Sequence, residues 1–182
     1  MNHERRRGIV TEGTPSLRPQ DVAVALQLVL TPGSSFAKIA ENVGISVGEA
    51  HNAFKRLQLA KLVSAAEGQV NKRLLRNFLI HGVPHAFPAK LGPETRGVPT
   101  AHSAVPLRDL ISSNDPIVWP SADGPRRGQS LIPLYPGAPR IARQNRELYH
   151  ALTLVDALRM GRSRERKLAS DLLQKSLQPN VA

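Results

Sequence analysis

Cysteine is absent from the 182 residues, which excludes disulfide scaffolds, zinc ribbons, iron–sulfur clusters and cysteine nucleophiles. Aromatic side chains make up only 4%, too few for the stacking platforms that hold single-stranded nucleic acid. No apolar run approaches the roughly 18 residues a membrane-spanning helix needs. The longest, Val22 to Leu30, follows Arg5-Arg6-Arg7 and so has a superficial likeness to a signal peptide. Pro19, Gln20 and Asp21 precede it, however, Gln27 interrupts it and periodic sequence continues past it. It reads as a core helix of a cytoplasmic protein with no membrane partner.

Acidic residues are also scarce. Fourteen Asp and Glu stand against 25 Lys and Arg, a formal net charge of +11. That sign favours a polyanionic partner, nucleic acid or an acidic protein surface. The excess is evenly spread: residues 1–18 carry +2, and 19–82, 83–145 and 146–182 carry +3 each. An arginine-rich composition alone would give the same spread. Recognisable catalytic motifs are missing too: no Gly-x-Ser-x-Gly elbow, no phosphate-cradling glycine loop ending in lysine and no His-Glu-x2-His. The scattered carboxylates do not suit a two-metal site, so an enzyme is the class least expected.

What is present divides the chain. Eleven of the 15 prolines lie between Pro84 and Pro139, where long helices cannot persist because proline fixes φ and removes a backbone donor. The organisation expected is mainly α. A flexible basic tail spans 1–18, a helical module 19–82, a proline-rich middle 83–145 with a possible β-hairpin, and two C-terminal helices 146–182.

Within the module, Val22, Leu26 and Val29/Leu30 recur at helical spacing before Thr31-Pro32-Gly33-Ser34 breaks the run. A second helix, about 35–43, buries Phe36, Ile39, Ala40 and Val43 and stops at Gly44. Ser46 caps a third that runs to about Lys61, with Ala50, Ala53, Phe54 and Leu57 facing inward. Leu62-Val63-Ser64 and Gln69-Val70 can pair as a minimal hairpin. A fourth helix runs from Asn71 to His81 and stops at Gly82.

The segment from Phe36 to Lys55 is similar to a helix-turn-helix: small Ala40 permits a close crossing, Gly44 allows the tight turn, and Ile39, Val43, Ile45, Ala50 and Ala53 wedge the two helices. Residues 19–82 as a whole resemble the winged helix-turn-helix transcriptional regulators of the MarR-like and ArsR-like kind. The run Ala53-Phe54-Lys55-Arg56-Leu57-Gln58-Leu59-Ala60-Lys61-Leu62-Val63 looks like that family's passage from recognition helix into wing. The resemblance implies a homodimer that binds duplex DNA sequence-specifically, and it covers about a third of the chain. Two features depart from the pattern: Glu67 and no arginine at the wing tip, and Gly48 inside the recognition helix.

With the wedge inward, Ser46, Val47, Gly48, His51, Asn52, Lys55 and Arg56 fall on the outward face, and Lys38 lies on the preceding helix. Asn52 suits adenine, and Lys55 or Arg56 suits guanine or phosphate. A solvated polar face is the plainer explanation of each. His81-x3-His85 has a metal-compatible spacing, but no carboxylate or thiolate adjoins it, so neither metal nor cofactor is expected.

In the middle, Pro116 to Pro120 and Gln129 to Tyr135 flank a tip containing Arg126-Arg127, which suggests a hairpin or an extended pair, with Trp119 and Tyr135 as anchors into the core or onto a partner. The tail carries stripes Leu148/Leu152/Val155/Leu158 and Leu168/Leu172/Leu173/Leu177, suited to a dimer interface or to the chain's own core. Arg159, Arg162, Arg164, Arg166 and Lys167 form a basic cluster at the break between them. The leading expectation is a repressor-type transcriptional regulator. The alternative is an antitoxin-like or adaptor chain that grips a protein partner through 83–182.

Overall fold

Pro19 opens helix α1 (Pro19–Leu30), where its missing N–H costs nothing, and Asp21 caps it by accepting a 2.8 Å hydrogen bond from the Arg18 backbone. The computed structural model describes residues 16–177, so the N-terminal tail falls almost wholly outside the described residues. From Asp21 to Leu28 every residue of α1 is buried. Helix α2 (Phe36–Val43) is capped by Ser35 and ends on Gly44 at φ +73°, a left-handed conformation suited to glycine. Ser46 Oγ then accepts the Glu49 N–H at 3.1 Å and starts helix α3 (Val47–Leu59). Ile39, Ala40, Val43, Ala50, Ala53 and Leu57 pack beneath α1.

After α3, Val63 and Val70 bridge antiparallel, supported by Ser64 N–H to Gln69 O and Asn71 N–H to Leu62 O, both 2.8 Å. This minimal ribbon turns through Gly68 at φ +66°. Asn71 caps helix α4 (Lys72–Asn77). The expectation that Gly82 stops the helix is corrected. The chain passes through a π-helical turn (Phe78–Gly82) into α5 (Val83–Ala86). A Cβ at Gly82 would come within 2.4 Å of the Phe78 ring, so glycine serves close packing here. The widened turn also accommodates Pro84, which has no N–H for a regular helical bond.

A three-stranded sheet follows, which makes the fold mixed and not merely helical. Strand β1 (Leu91–Pro99) runs antiparallel to both β2 (Ile117–Pro120) and β3 (Arg126–Leu131). The hairpin considered for 116–135 is thereby corrected: β2 and β3 are parallel, pairing Ile117 with Gln129 and Val118 with Ser130. Gly97 explains the geometry. It pairs with Pro120 on one side and Arg126 on the other, and the connecting loop crosses over it. A Cβ on Gly97 would lie 2.1 Å from Trp119 O, and one on Gly124 would lie 2.1 Å from Gly97 itself.

Helix α6 (Ala138–Gln144) leads into α7 (Arg146–Met160), capped by Asn145, and then α8 (Ser163–Leu177). The middle is no separate unit. One apolar cluster runs from Val22 through Leu107 and Trp119 to Leu177. Within it α7 is the central strut, buried continuously from Ala151 to Arg159 and flanked by α1, α5, α6 and α8. Its leucine stripe therefore serves the chain's own core and leaves α7 no free apolar face for a second copy.

Arg159 also departs from the basic cluster expected at the α7–α8 break. It is buried, donating to Asp156 Oδ1 at 2.6 Å and to Phe87 O at 2.7 Å. Asp156 in turn accepts from Thr100 Oγ1 (2.8 Å) and the Trp119 indole (2.6 Å), which ties the sheet to α7. Among the described residues no helix is long and apolar enough to cross a membrane.

Candidate nucleic-acid interface

Helix α3 has two faces of opposite character. Ala50, Ala53 and Leu57 are fully buried against α1 and α2. Val47, Gly48, His51, Asn52 and Lys55, spaced i, i+1, i+4, i+5 and i+8, share one exposed side. Ser46 stands exposed at the head of that side, its hydroxyl already engaged as the cap.

Individual residues carry further information. Val47 is 53% exposed although apolar, at the first position of the helix. A side-chain carbon added at Gly48 would touch nothing within 4 Å, so the chain's own packing does not require glycine there. His51 is held edge-on by Phe36 at 5.1 Å between centroids, and Phe36 meets Phe54 at 5.3 Å, which limits the imidazole's freedom on an otherwise open face. Asn52 and Lys55 extend into solvent. Lys38 is exposed on α2 and pairs with Glu41 at 2.9 Å.

Arg56 is the exception. Helical phase places it on the outward face, but its guanidinium turns back to Asp21 of α1. Nε and Nη2 donate to the two Asp21 oxygens at 2.8 and 2.7 Å, and Nη2 also reaches Glu49 Oε1. Only 12% of the side chain remains exposed, and Asp21 is 1% exposed. A buried carboxylate needs a paired cation, and Arg56 meets that requirement. Arg56 is therefore a fastener between α1 and α3.

The electrostatics agree. Hydrogen bonding to Asp21 outweighs burial and raises the Arg56 pKa, fixing the positive charge. Burial pushes Glu49 upward, but hydrogen bonds from Arg56 and Gln20, with the charges of Arg56 and Arg18, hold its carboxyl below the ordinary range. The outward side of α3 is left with Lys55 as its cation.

The turn before α3 has a neighbour the sequence did not announce. Tyr135 donates a 2.9 Å hydrogen bond to Val43 O, and a Cβ at Gly44 would lie 3.6 Å from Ile141 of α6. Tyr135 and Trp119 thus both anchor the middle of the chain into its own core. His81 and His85 are exposed, and among the described residues no group of three or more His, Asp or Glu side chains is placed to hold a metal ion.

No protein-family model matches the chain, and no curated protein or solved structure matches it.

Proposed function

We propose that residues 19–82 form a winged helix-turn-helix and that the chain is a sequence-specific double-stranded DNA-binding regulator of the repressor type. The observation that carries this is the exposed face Val47, Gly48, His51, Asn52 and Lys55 on a helix whose opposite face is fastened rigidly to α1 and α2. Small or polar groups at the N-terminal end of such a helix suit the major groove, which is about 12 Å wide and admits one helix. Val47 is placed to meet a thymine methyl, Asn52 to pair with adenine, and Lys55 to reach guanine or phosphate. Gly48 lets the helix backbone approach the base edges. The net charge of +11 supplies the nonspecific attraction.

The adaptor reading expects residues 83–182 to await a partner before ordering. Their described portion shares one apolar core with the module, which favours the DNA-binding reading. A homodimer would have to form away from the enclosed α7, and sedimentation velocity with and without operator duplex measures whether one forms.

The test is selection of duplexes from a randomised library by the full chain, followed by titration of Asn52→Ala and Lys55→Ala. A shared motif should emerge. Asn52→Ala should relax the preference at one base pair, and Lys55→Ala should weaken all duplexes alike and lower the salt slope by about 1. A chain that enriches no motif, or variants that bind as the parent does, contradicts the proposal.

A further inference from the structure

A winged helix ordinarily has a basic wing to meet the backbone beside the groove, but the tip here is Ser64-Ala65-Ala66-Glu67-Gly68, with a negative charge and no cation. Helix α6 offers the missing charge at the other end of α3. Its buried side, Ala138 and Ile141, packs toward the turn at Gly44, and a Cβ on Gly137 would lie 3.4 Å from Gly44 O. Arg140 and Arg143, three residues apart, are exposed. Arg140 precedes Ile141, whose side chain is the one a Cβ on Gly44 would meet at 3.6 Å, and Tyr135 just before the helix bonds Val43 O, so Arg140 sits on the element packed against the turn that leads into α3. Arg143 donates to Asp123 O at 2.7 Å and so braces the loop before the exposed Arg126. Nearby Arg127 is paired with Glu94 at 3.0 Å and Arg96 is turned onto Gly124 O at 3.2 Å, whereas Arg126, Arg140 and Arg143 are exposed and form no ion pair with a described carboxylate.

We infer that α6 is a second DNA-contacting element: Arg140 and Arg143, with Arg126 beyond them, hold the phosphate backbone flanking the groove that receives the N-terminus of α3, in place of the wing. The inference rests on the DNA-binding reading above and extends the contact surface into the half of the chain that the winged module does not include. These arginines read no bases. They set orientation and contribute affinity through counterion release.

The experiment uses the full chain and the duplex selected above, embedded in 40 base pairs of flanking DNA. Affinity is measured as a function of salt for the parent, Arg140→Ala/Arg143→Ala, Arg140→Glu alone, and Lys55→Ala. Each phosphate contact contributes about 0.9 to the slope of log affinity against log salt, so the double variant should lose about 1.8. Its affinity should fall about tenfold less than the parent's between roughly 50 and 200 mM salt. Base preference should stay that of the parent, and hydroxyl-radical protection should disappear on one flank only. Arg140→Glu keeps the Arg143 brace and should show the same one-sided loss. A double variant with the parent's slope and footprint overturns the inference, while the Lys55→Ala effect would leave the DNA-binding reading standing. A parent chain that selects no duplex overturns both.

Discussion

Arg56 and Asp21 are 35 residues apart in sequence and joined by two hydrogen bonds of 2.7 and 2.8 Å, so that the start of α1 and the last turn of α3 move as one body. Both side chains are largely removed from water, and truncating one strands the other's charge. Arg56→Ala is expected to destabilise the fold by about 3–5 kcal/mol, read as a lowered denaturation midpoint. An unchanged midpoint would show that the pair fastens nothing.

The same clamp gives a pH dependence. Glu49 titrates below its ordinary value in the folded chain, so the folded state binds fewer protons than the unfolded state as the pH falls. The stability it contributes is fully present above the unfolded value near 4.5 and is lost as pH drops through the lower folded value. Glu49→Gln should therefore be less stable than the parent near neutral pH, and the gap should close at acidic pH. Denaturant titrations across that range measure it; a constant gap would contradict the assignment.

Gly48 separates the demands of folding from those of binding. Beyond the adjoining residues and backbone of its own helix, nothing lies within 4 Å of where its side chain would be, and glycine within a helix costs roughly 0.5–1 kcal/mol relative to alanine. Gly48→Ala should raise the melting temperature and at the same time weaken binding to the selected duplex. A variant that is stabilised and binds unchanged would mean that no partner approaches the backbone there.

Tyr135→Phe removes one oxygen atom. The hydroxyl is buried and bonds the Val43 carbonyl at the end of α2, so its loss should cost about 1 kcal/mol in denaturant unfolding. A neutral substitution would show that the contact between the middle of the chain and the turn is incidental.

The elements recoverable from sequence are those whose signals are local. Ser46 as cap, Gly44 as stop and the spacing of Ala50, Ala53 and Leu57 place α3 from one short stretch, and the helices around Leu148–Leu158 and Leu168–Leu177 follow from periodicity alone. Strand β1 was hidden because Leu91-Gly92-Pro93-Glu94-Thr95-Arg96-Gly97-Val98-Pro99 has two prolines, two glycines and little strand propensity. A register irregularity between Leu91 and Glu94 accommodates Pro93, and only tertiary pairing makes the segment extended. Helix continuation through Gly82 was hidden because glycine there answers to the Phe78 ring and not to a turn. The roles of Arg56 and Arg159 were hidden for another reason: helical phase gives an arginine a direction, but the length of its side chain lets it turn back to a carboxylate or carbonyl that sequence spacing does not reveal. Of the proposed interface, Ser46, Val47, Gly48, His51, Asn52, Lys55 and Lys38 stand where periodicity puts them, whereas α6 beside the turn could be found only from the packing of Tyr135 and Ile141.

The most direct test of the central claim is a backbone-amide chemical-shift titration of the full chain with the selected duplex. The account predicts that the largest perturbations run from Ser46 through Lys55, with the buried core of α7 unmoved. Binding that leaves Ser46–Lys55 unperturbed, or that perturbs only surfaces remote from α3, would contradict it.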